Sequence, residues 1–154
     1  MALLSDAIGG WTGTNGFRLL PGDPFAEFPA TLTVTSAAAG HLAAVAYSWT
    51  HPDDGPQEGL LVIGAGEGEG ALVAMWGDSW HQRPSPMTLS GSRQDPGAVV
   101  LEGDYGGGWL WRISVAAGAD GLRLRMDNVI PADQATDEVS AGPYAAMLMT
   151  AHRA

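Results

Sequence analysis

Short apolar runs recur along the whole chain, several alternating residue by residue with polar or small side chains, and turn signals separate them. They lie near 11–20, 30–36, 41–51, 58–64, 71–77, 86–92, 97–104, 108–116, 121–128 and 143–153. The punctuation includes PGDP (21–24), HPDDGP (51–56), GAGEGEG (64–70), RPSP (83–86), QDPG (94–97), GADG (118–121) and the long VIPADQATDEVSAG (129–142). Strands and turns at such even spacing predict an all-β sandwich or barrel. No segment sustains a 3.6-residue period, although Ala-rich 37–47 could be misread as helix; LLSDAIG near the start reads as one helical turn with Ser5 or Asp6 at its head. The mostly short connections predict an up-and-down antiparallel barrel of about ten strands, because closure removes exposed sheet edges. Residues 1–154 read as one domain, with no linker or internal repeat.

The most readable hairpin spans 108–128. In GWLWRISV, Trp109, Trp111, Ile113 and Val115 share one face, and Leu110, Arg112 and Ser114 the other. In GLRLRMDN, Leu122, Leu124 and Met126 oppose Arg123, Arg125 and Asp127. A four-residue turn at 117–120 would pair Val115 with Leu122, Ile113 with Leu124 and Trp111 with Met126. A one-residue slip would set tryptophans beside arginines, so alternation selects an apolar inner face. Both tryptophans read as core that also lines any cavity, with Trp49 and Trp76 in the same role. Met75, Met126, Met147 and Met149 read as adaptable apolar surface suited to a pocket.

Charge narrows the partners. Seventeen acidic residues against seven basic ones give a formal net charge of −10. Such a chain repels a phosphate backbone, which argues against nucleic acid and against an anionic membrane surface. All seven basic residues are Arg; with 22 Gly and abundant Ala this composition points to a G- and C-rich, bacterial genome. Without Lys there is no Schiff-base or P-loop lysine, and without Cys no disulfide, thiol nucleophile or thiolate metal site. MALLSDAIGG lacks the charged and apolar regions of a signal peptide, and no apolar stretch is long enough to span a membrane. The expected setting is the cytoplasm. A monomer and a homodimer are both compatible with the sequence.

The opening stretch IGGWTGTNGFRLL (8–20) carries a Gly-x-Trp, and an Arg stands close to the chain's end. These features resemble the calycin superfamily of lipocalins and fatty-acid-binding proteins. That resemblance implies that Trp11 packs across one end of the barrel and that Arg153 from the last strand covers its ring, a cation–π contact of roughly 0.5–2 kcal/mol. Gly10-Trp11-Thr12-Gly13 also resembles the first-strand motif of nitrobindin-like proteins. MWGDSWHQRP (75–84), GGGWLWRISV and GPYAAMLMTAHR resemble a bacterial family of lipocalin-like barrels of unknown function. Nitrobindins hold haem through a His at the start of the final strand; here Pro143 or Tyr144 stands there and His152 lies at the far end. The expectation is therefore no cofactor, with Tyr144 as the one candidate haem ligand.

The strongest polar constellation is Asp78, Trp80 and His81. A carboxylate three residues from an imidazole could orient it, the minimum for general acid–base work. The plainer reading makes Asp78 a turn cap and His81 a surface residue. Metal chemistry fares worse: His41, His51, His81 and His152 show no ligand spacing. The acids of HPDD and EGE lie in turns, GAGEGEG lacks a βαβ context, and GDYGGG reads as a turn or bulge. The sequence thus predicts a barrel that binds a small, largely apolar molecule in its interior. Trp76, Asp78, Trp80, His81, Trp109, Trp111 and Met126 are the candidate ligand-binding residues. The alternatives are a small-molecule isomerase or hydrolase using His81 and Asp78, and a haem-binding protein.

Overall fold

In the computed structural model, which describes residues 2–94 and 97–154, the ten apolar runs are ten antiparallel strands. They are β1 (Gly9–Phe17), β2 (Ala26–Ala37), β3 (Leu42–His51), β4 (Gly55–Ala65), β5 (Ala71–Asp78), β6 (Gln82–Gln94), β7 (Ala98–Gly106), β8 (Trp109–Gly118), β9 (Gly121–Ile130) and β10 (Gly142–Arg153). Each pairs with its neighbour in the chain, and β1 pairs with β10, so the sheet closes on itself. The result is the up-and-down order that the turn spacing predicts, and it is compatible with a calycin-like barrel. Asp95 and Pro96 of the expected QDPG turn lie outside the described residues. Among the described residues no helix is long and apolar enough to cross a membrane.

Period-two alternation sorts the side chains between inside and outside. On β3, Ala43, Val45, Tyr47, Trp49 and His51 are buried. Leu61 and Ile63 of β4, Trp76 of β5, Ile113 and Val115 of β8, Met126 of β9 and Met147 and Met149 of β10 join them in one core. Burying each large apolar side chain contributes about 1.5–3 kcal/mol. The middle of the barrel is therefore occupied by its own side chains. Met75 departs from expectation: it alternates with Trp76 and stands 55% exposed on the outer face.

One end of the barrel is sealed. The turn Ser5–Ala7 is a short 3-10 helix, as LLSDAIG predicts, and Trp11 donates its indole N–H to Ala7 O at 2.7 Å. The Arg153 guanidinium lies 4.0 Å above the Trp11 ring and donates to the carbonyls of Asp6 and Ile8. Trp11 and Arg153 are directly paired in the β1–β10 ladder. Gly13, two residues along, has no room for a side chain: a Cβ there would run into the β10 backbone at Thr150.

Three local features differ from the sequence expectation. The β8–β9 hairpin keeps its predicted faces but is shifted by two residues: Val115 pairs with Leu124, Ile113 with Met126 and Trp111 with Asn128. The turn is shorter than four residues, with Gly118 opposite Gly121 and Gly121 at φ +123°. Alternation fixes which face a residue occupies, not how far along the partner it sits. Trp109, expected in the core, is only half-buried, because β8 begins there, opposite Gly106 and beyond the packed interior. Finally, β6 starts four residues earlier than RPSP suggests. Gln82 pairs with Asp78, and the next β6 partner on β5 is Met87 opposite Trp76, so residues 83–86 bulge out of the ladder.

Candidate functional site

The end opposite Trp11 gathers the polar chemistry. It is built from the last residues of β3 and β5, the turn 79–81 and the first residue of β6. Alternation points Trp76 and Asp78 inward, and the Asp78 carboxylate is buried, with 3% of the residue exposed. Its Oδ1 accepts the backbone N–H groups of Trp80 and His81, each at 2.8 Å, which shapes the turn. Its Oδ2 accepts the Tyr47 hydroxyl at 2.7 Å and the Trp49 indole N–H at 3.1 Å. Trp76 in turn donates to the Tyr47 oxygen at 2.8 Å. Burial alone would raise the carboxyl's proton affinity; contacts with His81 and the Tyr47 hydroxyl outweigh it and hold Asp78 below the usual carboxylate range. Tyr47 is pushed well above the usual phenol range, by burial first and by the Asp78 charge second.

His81 is not the surface residue of the plainer sequence reading: its side chain is 8% exposed. Nδ1 lies 3.4 Å from Asp78 Oδ1, too long and too poorly aligned for a hydrogen bond, yet the two edges face each other. A lone pair on Nδ1 would face the carboxylate oxygen and be repelled, so in the neutral imidazole the proton belongs on Nδ1 and the lone pair on Nε2. Asp78 is thus both the turn cap and the group that orients the imidazole.

A pocket of about 170 Å³ opens beside His81, lined by Trp76, His81, Gln82, Met87, Tyr105 and Trp111. It lies where the barrel wall is thinnest. β6 and β7 are paired only through Ser90–Gln94 and Ala98–Glu102, and no ladder pairs join them nearer this end. Trp76 and Trp111 stack in parallel on its inner side, ring centres 5.6 Å apart. A larger groove of about 770 Å³ runs over the outside of the barrel across Leu60, Val62, Val73 and Met75. It is shallow and apolar, with His41 alone as a titratable group at its margin, and it lies away from the Asp78 network.

Of the residues expected to bind ligand, Trp76, His81 and Trp111 line the pocket, and Asp78 stands behind His81. Trp80 does not line it. Trp80 stacks on His51 at 4.6 Å, packs edge-on against Phe17 and donates to Asp54 at 2.8 Å, covering the barrel end beside the pocket. Met126 is core, and Trp109 lies near Tyr105 without reaching the pocket lining. Gln82, Met87 and Tyr105 were missed because RPSP and GDYGGG read as turns. Tyr47 and Trp49 were missed as Asp78 partners, although the inward alternation of AYSWTH puts polar atoms inside the barrel, where they require partners.

Haem does not fit this end. The Tyr144 hydroxyl donates to Leu19 O at 2.7 Å and accepts from Asn128 at 3.2 Å, so it is not free to ligate iron. The pocket, at about 170 Å³, is too small for a macrocycle. Among the described residues no group of three His, Cys, Asp or Glu side chains is arranged to hold a metal ion. No protein-family model matches the chain, and no curated protein matches it.

Proposed function

We propose that the protein is a lipocalin-like, calycin-type barrel of the cytoplasm that binds a small, largely apolar molecule at one end of its interior. The pocket beside His81 carries this reading. Its volume, about 170 Å³, is close to that of a cavity known to take benzene and below the range of about 300–1,000 Å³ for drug-sized ligands. The ligand is therefore ring-sized, and a long acyl chain has no room in the packed interior. Toluene is expected to quench tryptophan fluorescence saturably, through Trp76 and Trp111, and decanoate to have no effect. Absence of any saturable response across a panel of single-ring compounds would overturn the proposal.

A second reading rests on one observation, the imidazole whose Nδ1 faces a buried carboxylate while Nε2 has no hydrogen-bond partner among the described residues. That arrangement supports general acid–base work on the bound molecule. In an enzyme of this type His81→Gln would abolish turnover of a small-molecule substrate and leave toluene binding within about twofold. Loss of both together would assign His81 to binding alone.

A further inference from the structure

Three polar side chains on the pocket wall each commit a hydrogen away from the pocket. In the neutral imidazole the proton of His81 belongs on the Nδ1 edge, which faces Asp78 Oδ1 at 3.4 Å. The Tyr105 hydroxyl donates to Asn128 Oδ1, which leaves its oxygen lone pairs. Gln82 donates one Nε2–H to Ser85 O at 2.9 Å, and its carbonyl Oε1 has no hydrogen-bond partner among the described residues. Three side chains from β6, β7 and the 79–81 turn thus offer acceptors to whatever enters. The Trp111 indole N–H is a donor without a partner among the described residues, but its nitrogen is closed off from solvent. The acidic balance of the chain adds to the same preference, since it disfavours an anionic ligand.

Building on the binding role proposed above, we infer that the ligand is a ring-sized hydrogen-bond donor, a hydroxyl- or amine-bearing ring, and that His81 Nε2 is its principal acceptor. A neutral phenol-like hydroxyl and a protonated amine share this chemistry. The phenol would donate to the imidazole lone pair. The amine would do the same and gain from the Trp76 and Trp111 ring faces. A ligand with only acceptors, such as an aromatic aldehyde, would set lone pair against lone pair and lose the water that satisfied them.

The test is calorimetric titration of the wild-type protein with toluene, benzaldehyde, phenol and benzylamine, four probes of similar size. Phenol, benzylamine or both should bind at least roughly tenfold more tightly than toluene and benzaldehyde. Phenol alone would identify a neutral donor, and benzylamine alone a cationic one. Equal affinities, or a preference for benzaldehyde, would overturn the donor assignment while leaving the binding role intact. Failure of all four to bind would remove both. His81→Phe should erase the preference of phenol and benzylamine over toluene; should that variant not fold, Tyr105→Phe and Gln82→Leu, at exposed and half-exposed positions, should each leave the major part of it. Loss of the whole preference in both would place the acceptor on the β6–β7 rim and overturn the role of His81.

Discussion

Tyr47 on β3 and Asp78 on β5 are hydrogen-bonded at 2.7 Å although a whole strand separates them. The residue between them in the register is Gly59, opposite Tyr47 on one side and Asp78 on the other. Two strand spacings come to roughly 10 Å, a span the phenol ring bridges only because the intervening position has no side chain. A Cβ at Gly59 would overlap the Tyr47 ring and hydroxyl. The orientation of His81, which depends on Asp78, thus depends in turn on a glycine on the strand between.

Replacing Tyr47 with Phe is expected to cost about 1.5–3 kcal/mol, the range for a hydrogen bond to a charged group. The change leaves the buried Asp78 carboxylate with one donor fewer and the Trp76 indole N–H without its acceptor. Equilibrium unfolding in urea measures it. A cost below about 0.5 kcal/mol, the size of an ordinary surface substitution, would show that the network is not tightly formed.

Gly59→Ala tests the same network from its geometric side. The methyl group forces the Tyr47 ring to move, and overpacking of this kind costs about 1–3 kcal/mol in addition to the hydrogen bond it displaces. The variant should therefore be less stable than Tyr47→Phe. If it also reorients His81 through Asp78, the preference for donor ligands should weaken in calorimetry. An alanine variant as stable as wild type would contradict the close approach of Tyr47 to β4.

The contacts of Asp78, which outweigh its burial, make a signed statement about pH. Its proton affinity is lower in the folded state than in the unfolded chain, so unfolding takes up a proton. The associated stability is fully present above the unfolded value of about 3.9 and is lost as pH falls through the lower folded value. Tyr47 has the opposite sign: its proton is held more tightly when folded, so its contribution is full below about 10 and is lost as the solution becomes more alkaline. Unfolding free energy followed from pH 6 into acid should fall more steeply for wild type than for Asp78→Asn. Above pH 10, Tyr47→Phe should lose stability less steeply than wild type. Parallel curves in either limb would refute the corresponding assignment.

The strand count and the inward faces were legible because alternation and turn residues are local properties of the chain. Trp11 and Arg153 were legible for a different reason, the resemblance of GGWTG and the final Arg to a known barrel closure. DSWH pointed to the end of the barrel that holds the Asp78 network and the pocket, since Asp78 and His81 are three residues apart and need only one turn to meet. What could not be read depends on offsets between strands. Nothing in YSWTH states that Tyr47 lies level with Gly59 and Asp78, because that row is set by two hairpin turns. The bulge at 83–86 likewise hid Gln82, since prolines that punctuate a sequence can interrupt a ladder without ending the strand. Tyr105 joined the site only because the β6–β7 ladder stops short of it, a property of neither strand alone.

The two ends of the barrel should be separable by mutation. Arg153 stacks on Trp11 and donates to the carbonyls of Asp6 and Ile8, so one guanidinium fixes the 3-10 turn, the first strand and the last strand together. Arg153→Ala removes the cation–π contact and leaves two carbonyls to water, at a combined cost of about 1–3 kcal/mol. For a chain of this length each kcal/mol lowers Tm by about 2–4 °C, so a fall of several degrees is expected in a thermal melt. Arg153→Lys should recover only part of it, because one ammonium cannot stack on the indole and reach both carbonyls with a planar fork. Toluene affinity should stay within about twofold of wild type in both variants, since the pocket beside His81 is built from β5 to β8 at the opposite end. A loss of affinity that tracked the loss of stability would mean that closure at Trp11 sets the shape of the pocket, and the division between a sealed end and a binding end would fail.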